Sequence, residues 1–186
     1  MKHLKQQFRK KILFRLARQK EEERRKTSSK ILKMLFSLPQ FAVAKIIMFY
    51  LSFDGEVDTS IMIKEAKSLG KRIAVPLIKR QTRELIPVLF DFKETLLEKG
   101  PYGILQPKVQ NKNVLQLPEL DMVIIPAVAF DLDGNRLGRG MGYYDRFLSK
   151  LPPKVFTIGL GFSFQVFDRL PFVEPHDISV QKILYA

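Results

Sequence analysis

Residues 121–148, DMVIIPAVAFDLDGNRLGRGMGYYDRFL, decide the fold of this chain. Met122 to Ile125 form a short apolar run that predicts a buried strand, and Pro126 marks its end. A turn sequence, Asp-Leu-Asp-Gly-Asn, comes next, and a segment rich in glycine and arginine follows at residues 136–142. Helical spacing then begins at Tyr143. We therefore predict a strand, a glycine-rich loop and a helix, in this order.

The predicted loop has the chemistry of an anion site. Gly138, Gly140 and Gly142 allow a ligand to approach the backbone closely. Arg136 and Arg139 supply fixed positive charge, and the N–H groups at the start of a helix also favour an anion. We predict a phosphate ligand. A tight surface turn, whose glycines serve only the backbone conformation, is the alternative that these residues leave open.

Three common motifs are excluded by spacing. A dinucleotide fingerprint requires a third glycine where this chain has Tyr143, and a P-loop requires a Gly-Lys-Ser/Thr ending that is missing. An EF-hand beginning at Asp131 would need glycine in place of Arg136 and glutamate in place of Gly142. The loop is therefore not one of these sites.

Composition predicts one domain over residues 1–186. The chain has 186 residues, 46% of them hydrophobic, which suffices for a single full core. With no cysteine and only His3 and His176, it lacks the residues for a disulfide, a thiolate nucleophile or a cysteine-based zinc site. The longest apolar run, at residues 46–53, is shorter than the roughly 20 residues that span a bilayer, and basic residues interrupt the first 20 positions. We expect a soluble, cytoplasmic protein.

The positive charge is concentrated at the beginning of the chain. Residues 1–33 hold 13 Lys and Arg against three Glu, a difference of +10 out of the net +13. Apolar residues recur every fourth position there and predict a basic helix over about residues 2–20: Leu4, Phe8, Ile12 and Leu16. Such a helix could bind nucleic acid or a membrane surface, face water, or pack on the domain and lend cations to an anionic ligand.

The remaining pattern alternates strands and helices. A second helix is predicted to begin near Thr27, Ser28 or Ser29 and to end before Pro39. Pro76 and Pro87 should place their strands at a sheet edge or strand end. We predict a three-layer α/β fold with a largely parallel central sheet and helices on both faces. Further strands are predicted at 44–51, 71–77, 83–90, 155–160 and 180–185, a helix at about 60–69, and an irregular segment at 99–118.

Glu56 lies in the loop that follows the strand at 44–51. Ligands bind at the carboxyl ends of the strands in open α/β sheets, so this position is a candidate for a binding residue. The alternative is that Glu56 only interacts with the dipole of the next helix.

The sequence GNRLGRGMGYYDRFL, preceded by a strand and PAVAFD, resembles the signature of the 5-formyltetrahydrofolate cyclo-ligases, also called 5,10-methenyltetrahydrofolate synthetases. Weaker similarity extends over most of the chain. It includes a lysine and an arginine four positions apart, Lys5 and Arg9, and a Leu-Ser-x-x-x-Glu-x-x-Thr segment at 51–59. The resemblance implies ATP- and Mg²⁺-dependent closure of 5-formyltetrahydrofolate to 5,10-methenyltetrahydrofolate, with release of ADP and phosphate.

The resemblance also implies roles for individual residues. The catalytic residues would be Arg139 and Tyr143. The residues that bind ATP would be Lys5, Arg9, Arg136, Leu137, Gly138, Arg139, Gly140, Met141, Gly142, Tyr143 and Tyr144. The residues that bind folate would be Leu51, Glu56, Tyr102, Arg139, Gly140, Met141, Gly142 and Tyr143. Which of the two adjacent tyrosines touches substrate is left open.

The implied Mg²⁺ ligand is Asp145, because one carboxylate with phosphates and water completes a normal magnesium shell. Some relatives have a second metal-associated aspartate where this chain has Gln181. That contact is lost here, runs through water, or is made by Asp177, and Gln181 stays a weak candidate.

The expected partners are a reduced folate and ATP, with no specific nucleic acid, no membrane and a monomeric chain. A nucleic-acid-binding module that uses the basic N-terminal helix is the alternative function, although no stacking motif, helix-turn-helix spacing or zinc knuckle supports it. A second alternative is another nucleotide- or sugar-phosphate-binding enzyme of similar fold.

Overall fold

The structure is a computed structural model that describes residues 2–91, 95–108 and 113–186, without the side chains of Lys2 and Tyr102. Its helices are α1 (Lys2–Ala17), α2 (Glu21–Phe36), α3 (Pro39–Val43), α4 (Ser60–Ser68) and α5 (Tyr143–Leu148). Its strands are β1 (Ile46–Met48), β2 (Arg72–Lys79), β3 (Glu84–Leu89), β4 (Leu97–Lys99), β5 (Leu105–Pro107), β6 (Met122–Ile125), β7 (Ala129–Asp131), β8 (Arg136–Leu137), β9 (Phe156–Gly161), β10 (Val166–Phe167) and β11 (Lys182–Tyr185). Within these residues, none of the helices has the length and apolar character needed to span a bilayer.

The central sheet has six strands in the order β11-β9-β6-β1-β2-β3. All neighbouring pairs are parallel except β2 and β3, which are antiparallel. The predicted largely parallel sheet is confirmed. Smaller sheets, β10-β7-β8 and β4-β5, lie outside it.

Both faces of the central sheet are buried. Along β1, Ile47 packs with residues of α1, α2 and α4 on one face, whereas Met48 packs with α5 on the other. Side chains alternate between the faces of a strand, so a strand covered on both sides needs an uninterrupted apolar run. This requirement explains the wholly apolar sequences of β1 and β6, and it places helices on both faces as predicted.

The second helix begins earlier than predicted, at Glu21. The acidic first turn complements the helix dipole, and Glu21 accepts hydrogen bonds from the guanidinium groups of Arg24 and Arg25. Ser28 lies inside the helix, where its buried hydroxyl accepts a hydrogen bond from the backbone of Asp58 at 3.0 Å. The serine that resembled a helix cap therefore serves a tertiary contact.

The two strand prolines lie opposite each other, Pro76 in β2 and Pro87 in β3. β3 is the edge strand, as predicted for Pro87. Pro76, in contrast, lies in a strand between two neighbours, but β1 pairs only with residues 72–74 of β2. Its missing N–H therefore falls beyond the part of β2 that pairs with β1.

β6 has the predicted bounds, but the chain after it does not pass directly into a loop. β7 and β8 form an antiparallel hairpin, closed by a turn in which the Asp131 carboxylate accepts from the Asn135 backbone N–H at 2.9 Å. Arg136 and Leu137 consequently lie in a strand rather than in the glycine-rich loop. The predicted order must be corrected to strand, hairpin, short loop and helix.

The side on which strands are added to the sheet changes between β1 and β6. From β1 the chain builds the sheet through β2 and β3 on one side, and it later adds β6, β9 and β11 on the other. Such a switch point leaves a crevice at the carboxyl ends of the two strands. The residues that follow β1 and β6 border this crevice.

Candidate active site

A cavity of about 1020 Å³ lies at this switch point. Tyr50 and Leu51, which follow β1, and Pro126 and Ala127, which follow β6, line it. Further lining comes from α1, the loop that carries Glu56, residues 136–145 and residues 170–177, and from residues of β2, β3 and 104–106. A volume of this size is at the upper end of what small-molecule sites require, so it suits two ligands.

Helix α1 forms one wall of the cavity. Its Phe8 packs edge-on against Phe167 and Phe172, with ring centroids 5.0 and 5.3 Å apart. This contact turns Lys5 and Arg9 toward the cavity, which both residues line. The helix thus packs on the domain, as the third interpretation of the basic helix required.

The two cations of α1 that line the cavity, Lys5 and Arg9, have different partners. The Lys5 ammonium, whose residue is buried, donates to the carboxylates of Glu174 at 2.5 Å and Asp177 at 3.3 Å. Arg9 donates from Nε to the carbonyl of Gly138 at 2.8 Å. Residues far apart in the chain are therefore joined at the rim of the cavity.

The loop that carries Glu56 is held against the end of α1. Gly55 has a φ of +79°, and a Cβ there would lie 2.3 Å from the carbonyl oxygen of Leu16. Only glycine fits this conformation and this close approach. The Gln19 amide donates to the Gly55 carbonyl at 3.0 Å, and Arg24 donates to the Glu56 carbonyl at 3.0 Å. These bonds hold the backbone of Glu56 beside the cavity.

The side chain of Glu56 is only 8% exposed. Burial raises its pKa to about 7, although the nearby Arg139 guanidinium and a hydrogen bond from the Phe53 backbone oppose this rise. Burial dominates because a carboxylate loses more hydration than two partial partners restore. Near neutral pH, Glu56 can therefore accept two hydrogen bonds when ionised or hold a proton when neutral.

Arg139 bridges the glycine-rich loop and the loop of Glu56. Its guanidinium donates to Asp54 at 3.0 Å and to Glu56 at 3.2 Å. It also lies over the ring of Phe53, 4.2 Å from the centroid. With 32% of its side chain exposed, this cation remains in contact with solvent and with the cavity.

Arg136 is buried, with 2% of its side chain exposed. It donates to Asp145 at 2.5 Å. Burial lowers its pKa, and the negative charge of Asp145 opposes that change. Its Nε has no hydrogen-bond partner among the described residues. Leaving a buried donor unpaired is costly, so Arg136 Nε carries an energetic penalty in this arrangement. The residue itself lines the cavity.

The glycine-rich loop ends at Gly142, the residue that precedes α5 and has a φ of +66°. Tyr143 and Tyr144 follow it and both line the cavity. Tyr143 belongs to the core cluster that contains Phe147. Burial raises the pKa of Tyr144 above its ordinary value, so its hydroxyl stays protonated at neutral pH.

Two sets of candidate metal ligands lie among the described residues. Asp145 lines the cavity, and its carboxylate also accepts from the Ile178 backbone at 3.4 Å. Glu174, His176 and Asp177 place their ligand atoms within 4.8 Å of one another. Carboxylate oxygens are the ligands that Mg²⁺ prefers, so Asp145 suits this ion. In the second set, Glu174 and Asp177 already pair with the Lys5 ammonium. His176 offers a nitrogen, which Mg²⁺ does not favour.

Gln181 belongs to neither set. Its side-chain oxygen accepts from the Thr157 backbone at 2.7 Å and from the Thr157 hydroxyl at 3.3 Å. The cavity lining does not include it. This amide therefore links the last strand to β9, and we do not carry it into the proposed metal site.

The structure brings almost all the predicted site residues to one cavity. The side chain of Tyr102 lies outside the described residues, and Gln181 lies elsewhere. The predicted site residues that line the cavity are Lys5, Arg9, Leu51, Glu56, Arg136, Leu137, Gly138, Arg139, Gly140, Met141, Gly142, Tyr143, Tyr144 and Asp145.

Sequence reasoning missed three residues that contact the predicted cations: Phe53, Asp54 and Glu174. The Asp-Gly pair at 54–55 was a usable signal, because Asp-Gly marks a turn and this turn follows a strand that leads to the site. Glu174 had no local signal, since its partner Lys5 is 169 positions away.

Comparisons with known proteins point to one family. A profile of the 5-formyltetrahydrofolate cyclo-ligase family matches residues 1–186. The 5-formyltetrahydrofolate cyclo-ligase of Haemophilus influenzae is 38% identical over 142 residues, which cover 76% of this chain and 75% of the relative. That of Mus musculus is 33% identical over 172 residues, covering 88% of this chain and 84% of the relative.

Solved structures agree. The NMR structure of Aquifex aeolicus 5,10-methenyltetrahydrofolate synthetase superimposes with a TM-score of 0.85 at 35% identity, covering 98% of this chain and 89% of that chain. The 5,10-methenyltetrahydrofolate synthetase of Mycoplasma pneumoniae superimposes with a TM-score of 0.76 at 27% identity, covering 97% of each chain.

Proposed function

The chain belongs to the 5-formyltetrahydrofolate cyclo-ligase family and is an enzyme, and we propose that it converts 5-formyltetrahydrofolate and ATP to 5,10-methenyltetrahydrofolate, ADP and phosphate with Mg²⁺. The observation that carries this proposal is the shared cavity. It gathers four cations, Lys5, Arg9, Arg136 and Arg139, beside the buried carboxylate of Glu56. Cations bind phosphates, and a buried carboxylate can accept hydrogen bonds from the N–H edge of a pterin.

The proposed reaction begins with activation of the formyl group. Its oxygen attacks the γ-phosphorus of ATP, the bond between phosphorus and the bridging oxygen breaks, and ADP leaves. The neighbouring amine nitrogen then attacks the formyl carbon and loses its proton. The carbon–oxygen bond breaks as phosphate departs, and the methenyl bridge remains. The formyl oxygen carries no proton, so the first step needs no general base.

Phosphoryl transfer mainly requires positioning and neutralisation of charge. Arg136 is held in place by β8 and Asp145, and it lines the cavity, where its fixed positive charge is suited to a phosphate. Lys5 and Arg9 approach from α1, and Arg139 from the loop. The amides from Gly138 to Gly142 add N–H donors, and α5, with six residues, adds little dipole.

The folate is assigned to the side of the cavity near Glu56. An ionised carboxylate can accept two N–H bonds from a pterin, and Leu51 offers apolar surface in the same lining. Tyr143 and Tyr144 directly follow the glycine-rich loop in sequence and line the cavity. The protonated hydroxyl of Tyr144 can only serve as a neutral donor or acceptor.

We assign Mg²⁺ to Asp145, with Asp177 as the neighbouring carboxylate in the lining. When bound, the ion would neutralise part of the phosphate charge. Because Asp145 already accepts from Arg136, the metal and this guanidinium would share one carboxylate. The residues present therefore fit a magnesium ion held mainly by phosphates and water.

The test is direct. The protein is incubated with 5-formyltetrahydrofolate and MgATP, and the methenyl product is followed by its absorbance in the near ultraviolet. We expect a signal that requires ATP and Mg²⁺ together. An absence of ATP-dependent product, from protein shown to be folded by circular dichroism, would overturn the proposal.

A further inference from the structure

Arg139 has a partner that the proposed reaction does not use. Besides Glu56, its guanidinium bonds to Asp54 at 3.0 Å, and Phe53 lies beneath it. Asp54 has a φ of +51°, which a residue other than glycine seldom adopts. Gly55 follows with its own positive φ, pressed against the end of α1. The backbone of this turn is thus shaped so that the carboxylate of Asp54 meets Arg139.

The contacts of Arg139 compete with the roles proposed for the same groups. While Arg139 donates to Glu56, it occupies part of the carboxylate that a pterin would use. While it is held by Asp54 and Glu56, one N–H of NH1 and one N–H of NH2 are engaged, and the two carboxylates partly neutralise its charge. Its attraction for a phosphate is therefore weaker in this arrangement. Both ligands therefore favour the arrangement in which Arg139 has left Glu56.

We infer that Asp54 is a positioning residue that holds Arg139 beside Glu56 and thereby couples the binding of nucleotide to the binding of folate. The inference rests on the proposed function, because it takes Arg139 as a phosphate ligand and Glu56 as a folate ligand. Two ligands that favour the same arrangement bind with positive cooperativity, and the coupling is reciprocal. Asp54 favours the arrangement in which Arg139 remains bonded to Glu56. Each ligand must therefore shift more of the protein out of this arrangement, and Asp54 thereby raises the coupling between nucleotide and folate.

The surroundings of Glu56 support this assignment. Charged and titratable groups face Glu56 from several elements: Arg139, Asp54, Tyr50 and Tyr144. Among these, Arg139 carries the positive charge that lowers the pKa of Glu56, and Asp54 acts in the opposite direction. When the Arg139–Glu56 contact breaks, Arg139 becomes available to a phosphate and Glu56 to a pterin. Asp54 is the residue that holds Arg139 beside Glu56.

The solvent exposure of Asp54 and Arg139 sets how strongly their ion pair affects binding. The side chain of Asp54 is 49% exposed and that of Arg139 is 32% exposed, so their ion pair is weakened by solvent. Removing the Asp54 carboxylate should therefore shift the equilibrium between bonded and released Arg139 by about two- to fivefold toward the state released from Glu56.

The test compares Asp54→Asn with the wild type. Calorimetric titration measures binding of Mg²⁺ with adenylyl-imidodiphosphate, an ATP analogue that is not turned over, with and without saturating 5-formyltetrahydrofolate. We expect the folate to tighten binding of the analogue to the wild type. In Asp54→Asn, the analogue should bind about two- to fivefold tighter without folate, and the tightening by folate should fall by the same factor.

Two variants make the result specific. Asp54→Gly also accepts a positive φ and lacks the carboxylate, so it should behave like Asp54→Asn even if one of the two folds poorly. Asp133→Asn removes the same charge from an exposed turn outside the cavity lining and should match the wild type.

Unchanged or weaker binding of the analogue to both Asp54 variants without folate would overturn the inference, and so would unchanged coupling. The proposed function would survive either result if the wild type formed methenyl product. A wild type that forms no product would instead remove the proposed function, and the two failures are thus distinguishable.

Discussion

The two arginines of Arg136-Leu-Gly-Arg139 are chemically identical and three positions apart, yet the fold treats them differently. Arg136 lies in β8, is 2% exposed and donates to one carboxylate, Asp145, at 2.5 Å. Arg139 lies in the following loop, is 32% exposed and is shared between Asp54 and Glu56. A buried charge requires a fixed partner, whereas a partly solvated charge can exchange partners at small cost. The comparison therefore separates a cation that holds its place from a cation that can move to a ligand.

The largest expected effect concerns stability at the buried arginine. Arg136→Met preserves volume but leaves Asp145 without its ion pair, and we expect a loss of about 3 kcal/mol in the free energy of unfolding. Urea denaturation followed by circular dichroism measures it. Arg139→Met, the matched control, should change stability by less than about 1 kcal/mol, because the Arg139 side chain is partly solvated. Glu56, whose pKa is about 7, can take up a proton when its partner is lost. Equal losses in both variants would contradict the distinction between the two arginines.

The second prediction concerns catalysis at the exposed arginine. Arg139→Ala should reduce kcat/KM by about 10²-fold, because a cation that neutralises phosphate charge is lost. Its unfolding midpoint in urea should stay close to that of the wild type, since the side chain is partly solvated. ATP affinity and turnover at the wild-type level would show that this cation does not serve the reaction.

The third prediction uses the carboxylate beside Arg139. The pKa of Glu56 is about 7 in the folded protein and near 4.5 when unfolded, so the folded state binds the proton more tightly between these values. The stability that this protonation contributes is present below pH 4.5 and is lost as the pH rises through 7. Glu56→Gln should therefore be more stable than the wild type by roughly 3 kcal/mol at pH 8.

This advantage of Glu56→Gln should vanish near pH 4.5, as measured by urea denaturation at a series of pH values. The control is Glu65→Gln on the exposed side of α4, which should show no such trend. A pH-independent difference for Glu56→Gln would mean that Arg139 fully compensates the burial of this carboxylate.

The smallest expected effect on activity concerns Asp145, the partner of the buried Arg136. Asp145→Asn should raise the Mg²⁺ concentration for half-maximal activity by about tenfold, because a neutral amide is a weaker ligand for Mg²⁺ than a carboxylate. The measurement is a Mg²⁺ titration of the cyclisation rate at saturating ATP, at a temperature where the variant is folded. An unchanged titration would leave Asp145 with a structural role alone, as the partner of Arg136.

Much of the fold followed from local patterns. The bounds of β6 were predicted correctly because a wholly apolar run followed by proline has few alternatives. The start of α2 was wrong because a serine that favours helix caps also serves tertiary contacts, here with Asp58. The hairpin between β7 and β8 was missed because its strands are short and its second strand contains a charged residue.

The sequence alone determined the alternation of strands and helices, the excess of cations near the N terminus and the residue types of the glycine-rich loop. Tertiary structure alone decided which arginine is buried, that Lys5 meets Glu174 and Asp177, and that burial raises the pKa of Glu56 to about 7. Apolar periodicity is a pattern of residues that are close in sequence, so it can be recognised before the structure is known. Desolvation and charge pairing depend on atoms that only folding brings together, so they had no local signal.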